Sequence, residues 1–224
     1  MRLYDYAPSA NGYKVRLLLS WLDRPYELVP VDIFAGESRT EDFLRQKNPD
    51  GRIPVLEPEP GHFLAESNAI LLYLARGTPL LPEDAFELAQ VHQWLFFEQN
   101  SLEPNVGTVR FWHLTGRASL HPETFRLRTA RGHEALSALE RHLRGRTFLV
   151  GERPTVADIA LYAYTHVAPE GGFDLARYPA VSAWLERVKA HPSHIGALAP
   201  YTANAHLPPA GLTGAERRQA AQQA

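Results

Sequence analysis

The chain contains no cysteine. That excludes disulfides, thiolate metal centres and a nucleophilic sulfur belonging to the protein itself. It also has little net charge, −2 over 224 residues, so there is no electrostatic basis for a nucleic acid or an anionic membrane as partner. No apolar run reaches the ~20 residues a membrane span needs, and the opening "MRLYDYAPS" has no apolar signal core. The 10 histidines show no metal-ligand spacing. The expectation is a cytoplasmic protein with no metal, nucleic-acid or membrane partner.

What is present is enough for a core: 45% of residues are hydrophobic. The 18 prolines are many for a helical chain, and most should stand at helix starts and turns. "RLYDY" (2–6) reads as a strand. Val15, Leu18, Leu19 and Leu22 then recur at i, i+3, i+4, i+7, the core stripe of an amphipathic helix. "YELVPV" (26–31) reads as a second strand, parallel to the first through a crossover helix, with Pro30 placing it at an edge or strand end. "TEDFLRQK" (40–47) predicts a short helix capped by Thr40 and stopped by "NPDG". "IPVLE" (53–57) and "HFLAE" (62–66) flank the turn-rich "PEPG" and predict a hairpin. "SNAILLYLARG" (67–77) predicts a helix capped by Ser67 and ended by Gly77.

The predicted order over residues 1–77 is β-α-β-α-β-β-α. "TPLLPEDA" (78–85) breaks the composition and is read as a linker. Residues 86–206 carry only helical signals, among them the stripes Leu88, Val91, Leu95 and Leu136, Leu139, Leu143. Residues 207–224, rich in Ala, Gln, Gly and Arg, are expected to be frayed or disordered. Thr155 and Asp158 have the spacing of a capping box and are assigned to folding.

Four segments together resemble the cytosolic glutathione transferase superfamily: "YDYAPSANGYKVRLLL", "GRIPVL", "ESNAILLYLA" and "PTVADIALYAY". Each is only moderately specific; their order and spacing carry the likeness. The chain looks most similar to bacterial, cysteine-free members with a serine or asparagine at the first helix. The resemblance implies a thioredoxin-like α/β N-terminal domain that binds glutathione, an all-α C-terminal domain and a homodimer. It also implies a cis peptide at Ile53–Pro54. X-Pro is the only bond where cis is cheap, and such a bond would turn the backbone of Ile53 outward to pair with an extended peptide. The residues alone leave a trans proline at a strand start open.

The other ligand positions follow from the same resemblance. Ser67, at a helix N-terminus, suits the γ-glutamyl carboxylate, and Glu66 suits the ammonium beside it. Arg39 is a candidate for the glycyl carboxylate, with exposed surface as the competing reading. For the sulfur, a free thiol has a pKa of about 8.5. One charge-assisted donor is worth about 1.5–3 kcal/mol, or a lowering of about one to two units. A donor therefore suffices and a base is not required. Ser9 is the first candidate, Asn11 the second and Tyr6 the third. Tyr6 can instead wall a second-substrate site with Phe111 and Trp112, for which core packing is the competing reading. The expected reaction is attack of glutathione thiolate on a small electrophile. A glutathione-dependent disulfide reductase or peroxidase, or a non-catalytic ligand-binding relative, are the alternatives.

Overall fold

The computed structural model describes residues 1–207. The expected frayed tail beyond that point lies outside the described residues. The chain begins with β1 (Arg2–Asp5), α1 (Ala10–Trp21) and β2 (Glu27–Pro30). β1 pairs with β2 in parallel, Leu3 opposite Leu28, and β3 (Val55–Glu57) pairs antiparallel on its other side, Leu3 opposite Leu56. The sheet order β2-β1-β3 leaves β2 at an edge with Pro30 as its last residue, where a missing N–H costs no ladder bond.

Three expected elements come out differently. The second hairpin strand (62–66) reduces to a single bridge, Leu56 to Leu64, with N–H···O bonds of 2.9 and 2.8 Å. Pairing stops there because Glu66 takes φ 67° to launch the next helix. The predicted helix at 40–47 forms one turn that widens into π-helical geometry over Phe43–Lys47; Thr40 Oγ1 does accept from the Phe43 N–H at 3.3 Å. α2 (Ser67–Ala75) is shorter than expected. Glu66, not Ser67, stands at its N-cap position, and Gly77 follows its end with φ 72°.

Residues 76–84 are turns and bends, and helices follow: α3 (Ala85–Phe97), α4 (Thr108–Leu114), α5 (Pro122–Leu143), α6 (Val156–Thr165) and α7 (Pro179–Lys189). Between α3 and α4 the chain stays helical but runs as a wide π-helical stretch, Glu98–Gly107. Pro104 lies within it; a proline has no N–H to give and disrupts the regular ladder. The capping box of α6 forms: Thr155 Oγ1 accepts from Ala157 N at 3.2 Å and Asp158 Oδ2 from Thr155 N at 2.8 Å.

α1 is largely buried because α6 and α2 pack against it and its apolar residues share one core cluster with Leu3 and Leu56 of the sheet. One hydrophobic core therefore runs through both parts of the chain, from Leu3, Leu18 and Leu71 to Val91, Leu136, Ile159 and Trp184. A smaller cluster, Tyr4, Val31, Phe43 and Val55, covers another part of the sheet.

Candidate functional site

The turn from β1 into α1 sets the site. Ser9 is the N-cap, its Oγ accepting from Gly12 N at 3.2 Å. Gly12 is required for close approach: a Cβ there would come within 1.8 Å of Asp5 Oδ1. Asp5, at the end of β1, is thus packed against the first turn of α1, and Arg16 of the next turn stands 3.3 Å from its Oδ2. Burial pushes the Asp5 carboxyl up to about 7 although the Arg16 charge pulls it down. Arg16 also donates to the Ala7 carbonyl at 2.8 Å, so this pair holds the loop that carries Ser9.

Five of the expected ligand residues converge. Asn11, Ile53, Pro54, Glu66 and Ser67 line one polar cavity of ≈80 Å³. The Ile53–Pro54 bond is cis, and Ile53 has no backbone hydrogen-bond partner among the described residues. Arg39 is not brought in: it is exposed, and its side chain lies over Gly51. Ser67 is freed from capping for a different task. Its hydroxyl donates to Asn11 Oδ1 at 3.1 Å and accepts from Lys14 Nζ at 3.0 Å.

Lys14 is fully buried, and its Nζ also reaches Asn68 Oδ1 at 3.2 Å and Glu98 Oε2 at 2.9 Å. Glu98 is equally buried and takes further bonds from Asn68 and Gln99, at 3.0 and 2.8 Å. This pair joins α1 to the π-helical stretch beneath the polar cavity.

A second cavity of ≈290 Å³ adjoins the first and is largely aromatic. Tyr6, Phe34, Phe111 and Tyr201 form its wall, with ring centroids 5.5–6.0 Å apart along the series from Tyr6 to Phe34, Phe111 and Tyr201. Ser9 faces this cavity, whereas Asn11 faces the polar one. Trp112 does not line it; it packs against His121, the rings tilted with centroids 5.2 Å apart. A larger cavity of ≈450 Å³, beside Tyr13, Tyr162 and His166, contains none of the expected site residues.

The aromatic wall is closed by the segment after α7. Thr202 Oγ1 donates to Asn204 Oδ1 at 2.6 Å, so at 2.6 Å from the Tyr6 hydroxyl it accepts. The Tyr6 proton is therefore committed to Thr202, which leaves Ser9 and Asn11 of the three candidate donors. Asn204 reaches Asp32 Oδ2 at 2.8 Å, and buried Arg110 holds Tyr201 Oη at 3.0 Å and Glu170 Oε2 at 2.7 Å.

Sequence reasoning missed Lys14, Glu98, Glu103, Arg110 and Tyr201. One signal was available. Lys14 lies four residues before Leu18, on the apolar stripe of α1, and a lysine there needs a buried partner.

These features coincide with a known family. Residues 1–76 match the glutathione S-transferase N-terminal domain and residues 127–192 the glutathione S-transferase C-terminal domain. The chain belongs to the cytosolic glutathione transferase superfamily. A glutathione S-transferase from Pseudomonas fluorescens Pf-5 is 48% identical, with TM-score 0.85 over 87% of this chain and 97% of that one. The disulfide-bond oxidoreductase YfcG of Escherichia coli K12 is 34% identical, covering 84% of this chain and 90% of that protein. A glutathione transferase from Pseudomonas putida with one glutathione disulfide bound per subunit is 27% identical, with TM-score 0.76 over 86% and 87% of the two chains.

Proposed function

We propose that the chain is a glutathione transferase that binds the tripeptide in the polar cavity and presents its thiolate to a small electrophile in the aromatic one. The observation that carries this reading is the gathering of Asn11, Ile53, Pro54, Glu66 and Ser67 around one cavity that adjoins Ser9 and the aromatic wall. The γ-glutamyl carboxylate meets the start of α2 at Ser67, where unpaired N–H groups and the dipole favour an anion. Glu66 takes the ammonium, and the unpaired backbone of Ile53 takes the extended main chain. The sulfur receives a donor from Asn11 Nδ2, Ser9 Oγ or both. Residues 1–77 supply the peptide site, and residues 86–206 supply the rest of the second-substrate wall.

A second chemistry suits the same site. The similarity to a disulfide-bond oxidoreductase, and to a transferase holding glutathione disulfide, favours attack on a disulfide as well. The protein needs no cysteine for it, since the attacking sulfur is the ligand's.

A homodimer is part of the reading. Phe86 and Phe96 are exposed on α3, at 72% and 66%, and Tyr73 on α2 is 52% exposed. Among the described residues no helix is long and apolar enough to cross a membrane, and a cytoplasmic location agrees with the cysteine-free composition.

Calorimetric titration with glutathione tests the core of the proposal. Binding is expected, and no heat at millimolar ligand overturns it. Rates on a halogenated nitroarene and on a glutathione mixed disulfide then tell the two chemistries apart.

A further inference from the structure

The two cavities share a residue that the reading above does not use. Glu103, in the π-helical stretch just before Pro104, lines both of them. Its carboxyl makes no hydrogen bond or ion pair among the described residues. The neighbouring carboxylates differ. Glu98 is paired with Lys14, Glu170 with Arg110, and Glu66 lines the polar cavity alone. Glu103 is thus a free carboxyl at the seam where a bound thiol and a second substrate would meet.

We propose that Glu103 is the proton carrier of the cleft: its carboxylate takes the proton of glutathione's thiol and returns it to the sulfur that leaves when a disulfide is attacked. This rests on the glutathione reading above. The balance is complete without any outside reagent. Glutathione gives its proton to Glu103 and becomes thiolate. The thiolate forms a new S–S bond to one sulfur of the substrate, and the old S–S bond breaks. The second sulfur leaves with the electron pair as thiolate and takes the proton back from Glu103. Glutathione sulfur is oxidised to the disulfide level, the leaving sulfur is reduced to thiol, and Glu103 ends as it began. Substitution on a haloarene has no such return step, because halide leaves unprotonated and the proton must go to water. The seam is therefore better matched to disulfides than to haloarenes.

The surroundings support this role. Burial raises the Glu103 carboxyl above the usual carboxylate range, and the Glu98 charge adds to that; Lys14, Arg52 and Arg128 face it and pull the other way. The Tyr164 phenol lies close enough to feel its charge, and Arg110 lines the same aromatic cavity. A carboxyl raised above its usual range is a better-matched proton partner for a stabilised thiol than an ordinary one. The two groups also repel as a pair of anions, so the cleft favours one negative charge shared between them.

The test counts protons. Glutathione is bound near pH 7, thiolate is read from its ultraviolet absorbance, and proton release is read by calorimetry in buffers of different ionisation enthalpy. Wild type is expected to form thiolate while releasing clearly less than one proton per thiolate. Glu103→Gln should still bind glutathione, form less thiolate at the same pH and release one proton for each thiolate it does form. Per thiolate formed, it should also reduce disulfides with alkyl-thiol leaving groups about 100-fold more slowly, a far larger drop than for nitroaryl-thiol leaving groups, which need no proton. One proton per thiolate in wild type overturns the proposal, and this needs no variant. Loss of glutathione affinity in Glu103→Gln with an unchanged proton count also overturns it, because Glu103 would then be a ligand of the peptide. A wild type that binds no glutathione removes the reading under Proposed function together with this one.

Discussion

Ser67 Oγ donates to Asn11 Oδ1 across 3.1 Å, and the direction of that bond is set from behind. Lys14 Nζ, 3.0 Å from the same hydroxyl, has protons to give and no lone pair to accept with. Ser67 therefore accepts from Lys14 and spends its own proton on Asn11. With its oxygen taken, Asn11 has its amide NH2 left to offer in the polar cavity that it lines. A buried lysine thus orients a donor two steps away.

Asn11→Ala should accordingly raise the pKa of bound glutathione by about one to two units, the worth of one charge-assisted donor. Ser9→Ala should raise it as well and also cost about 1 kcal/mol of stability, because Ser9 caps α1. Absorbance titration of the bound thiol checks both. An unchanged titration in the two variants would show that neither side chain reaches the sulfur.

Lys14→Met leaves the Glu98 carboxylate buried without its cation. The expected loss is about 3–5 kcal/mol in denaturant unfolding. The double variant Lys14→Met/Glu98→Leu should recover much of it, since neither charge is then stranded. Equal losses in the single and double variants would mean that the pair is not coupled.

Two buried groups give opposite pH slopes. The Asp5 carboxyl is raised from 3.8 to about 7 by burial. The folded state holds that proton more tightly than the unfolded chain, so its contribution is full below pH 4 and is lost as pH rises toward 7, by up to ~4 kcal/mol. The His166 imidazole is lowered from 6.5 to about 4, again by burial, and its buried Nε2 has no partner. There the unfolded state binds the proton better, so stability falls as pH drops from 6.5 toward 4. Asp5→Asn should flatten the first slope and His166→Phe the second. Unfolding free energies measured from pH 4 to pH 8 check the signs; a wild-type slope left intact in Asp5→Asn would reject the first assignment.

Thr202→Val removes the oxygen that accepts the Tyr6 proton. The segment around residue 202 should then exchange its amide hydrogens faster, for a loss of about 1 kcal/mol. The Michaelis constant for the second substrate should rise while glutathione affinity stays the same, because Thr202 closes only the aromatic side. Equal effects on both substrates would contradict the division between the two cavities.

The parts legible in the sequence were local ones. β1, α1 and β2 follow from period and punctuation within thirty residues, and the cap of α6 from a three-residue spacing. Non-local relations stayed hidden. Lys14 lies on the apolar stripe of α1, but nothing local names its partner Glu98, 84 residues away. "HFLAE" has the composition of a strand, yet pairing ends at Leu64 because Glu66 must turn left-handed to start α2. Phe111 and Trp112 are neighbours in sequence, but a helix rotates successive residues by about 100°. One therefore enters the cleft while the other packs outside it against His121. Ser67 has the residue type of a cap and lies one position too late to be one, which frees its hydroxyl for Asn11.

The wall formed by Tyr6 and Thr202 joins residues 196 positions apart in the chain. On the ribosome, β1 and α1 are made early and can fold against their neighbours long before residue 202 exists. A nascent or truncated chain that stops short of Thr202 and Asn204 would still hold the polar cavity, but its aromatic side would be open to water. Completion of the second-substrate wall is therefore tied to near-completion of synthesis, and a chain clipped before Tyr201 would bind the peptide without enclosing what the peptide attacks.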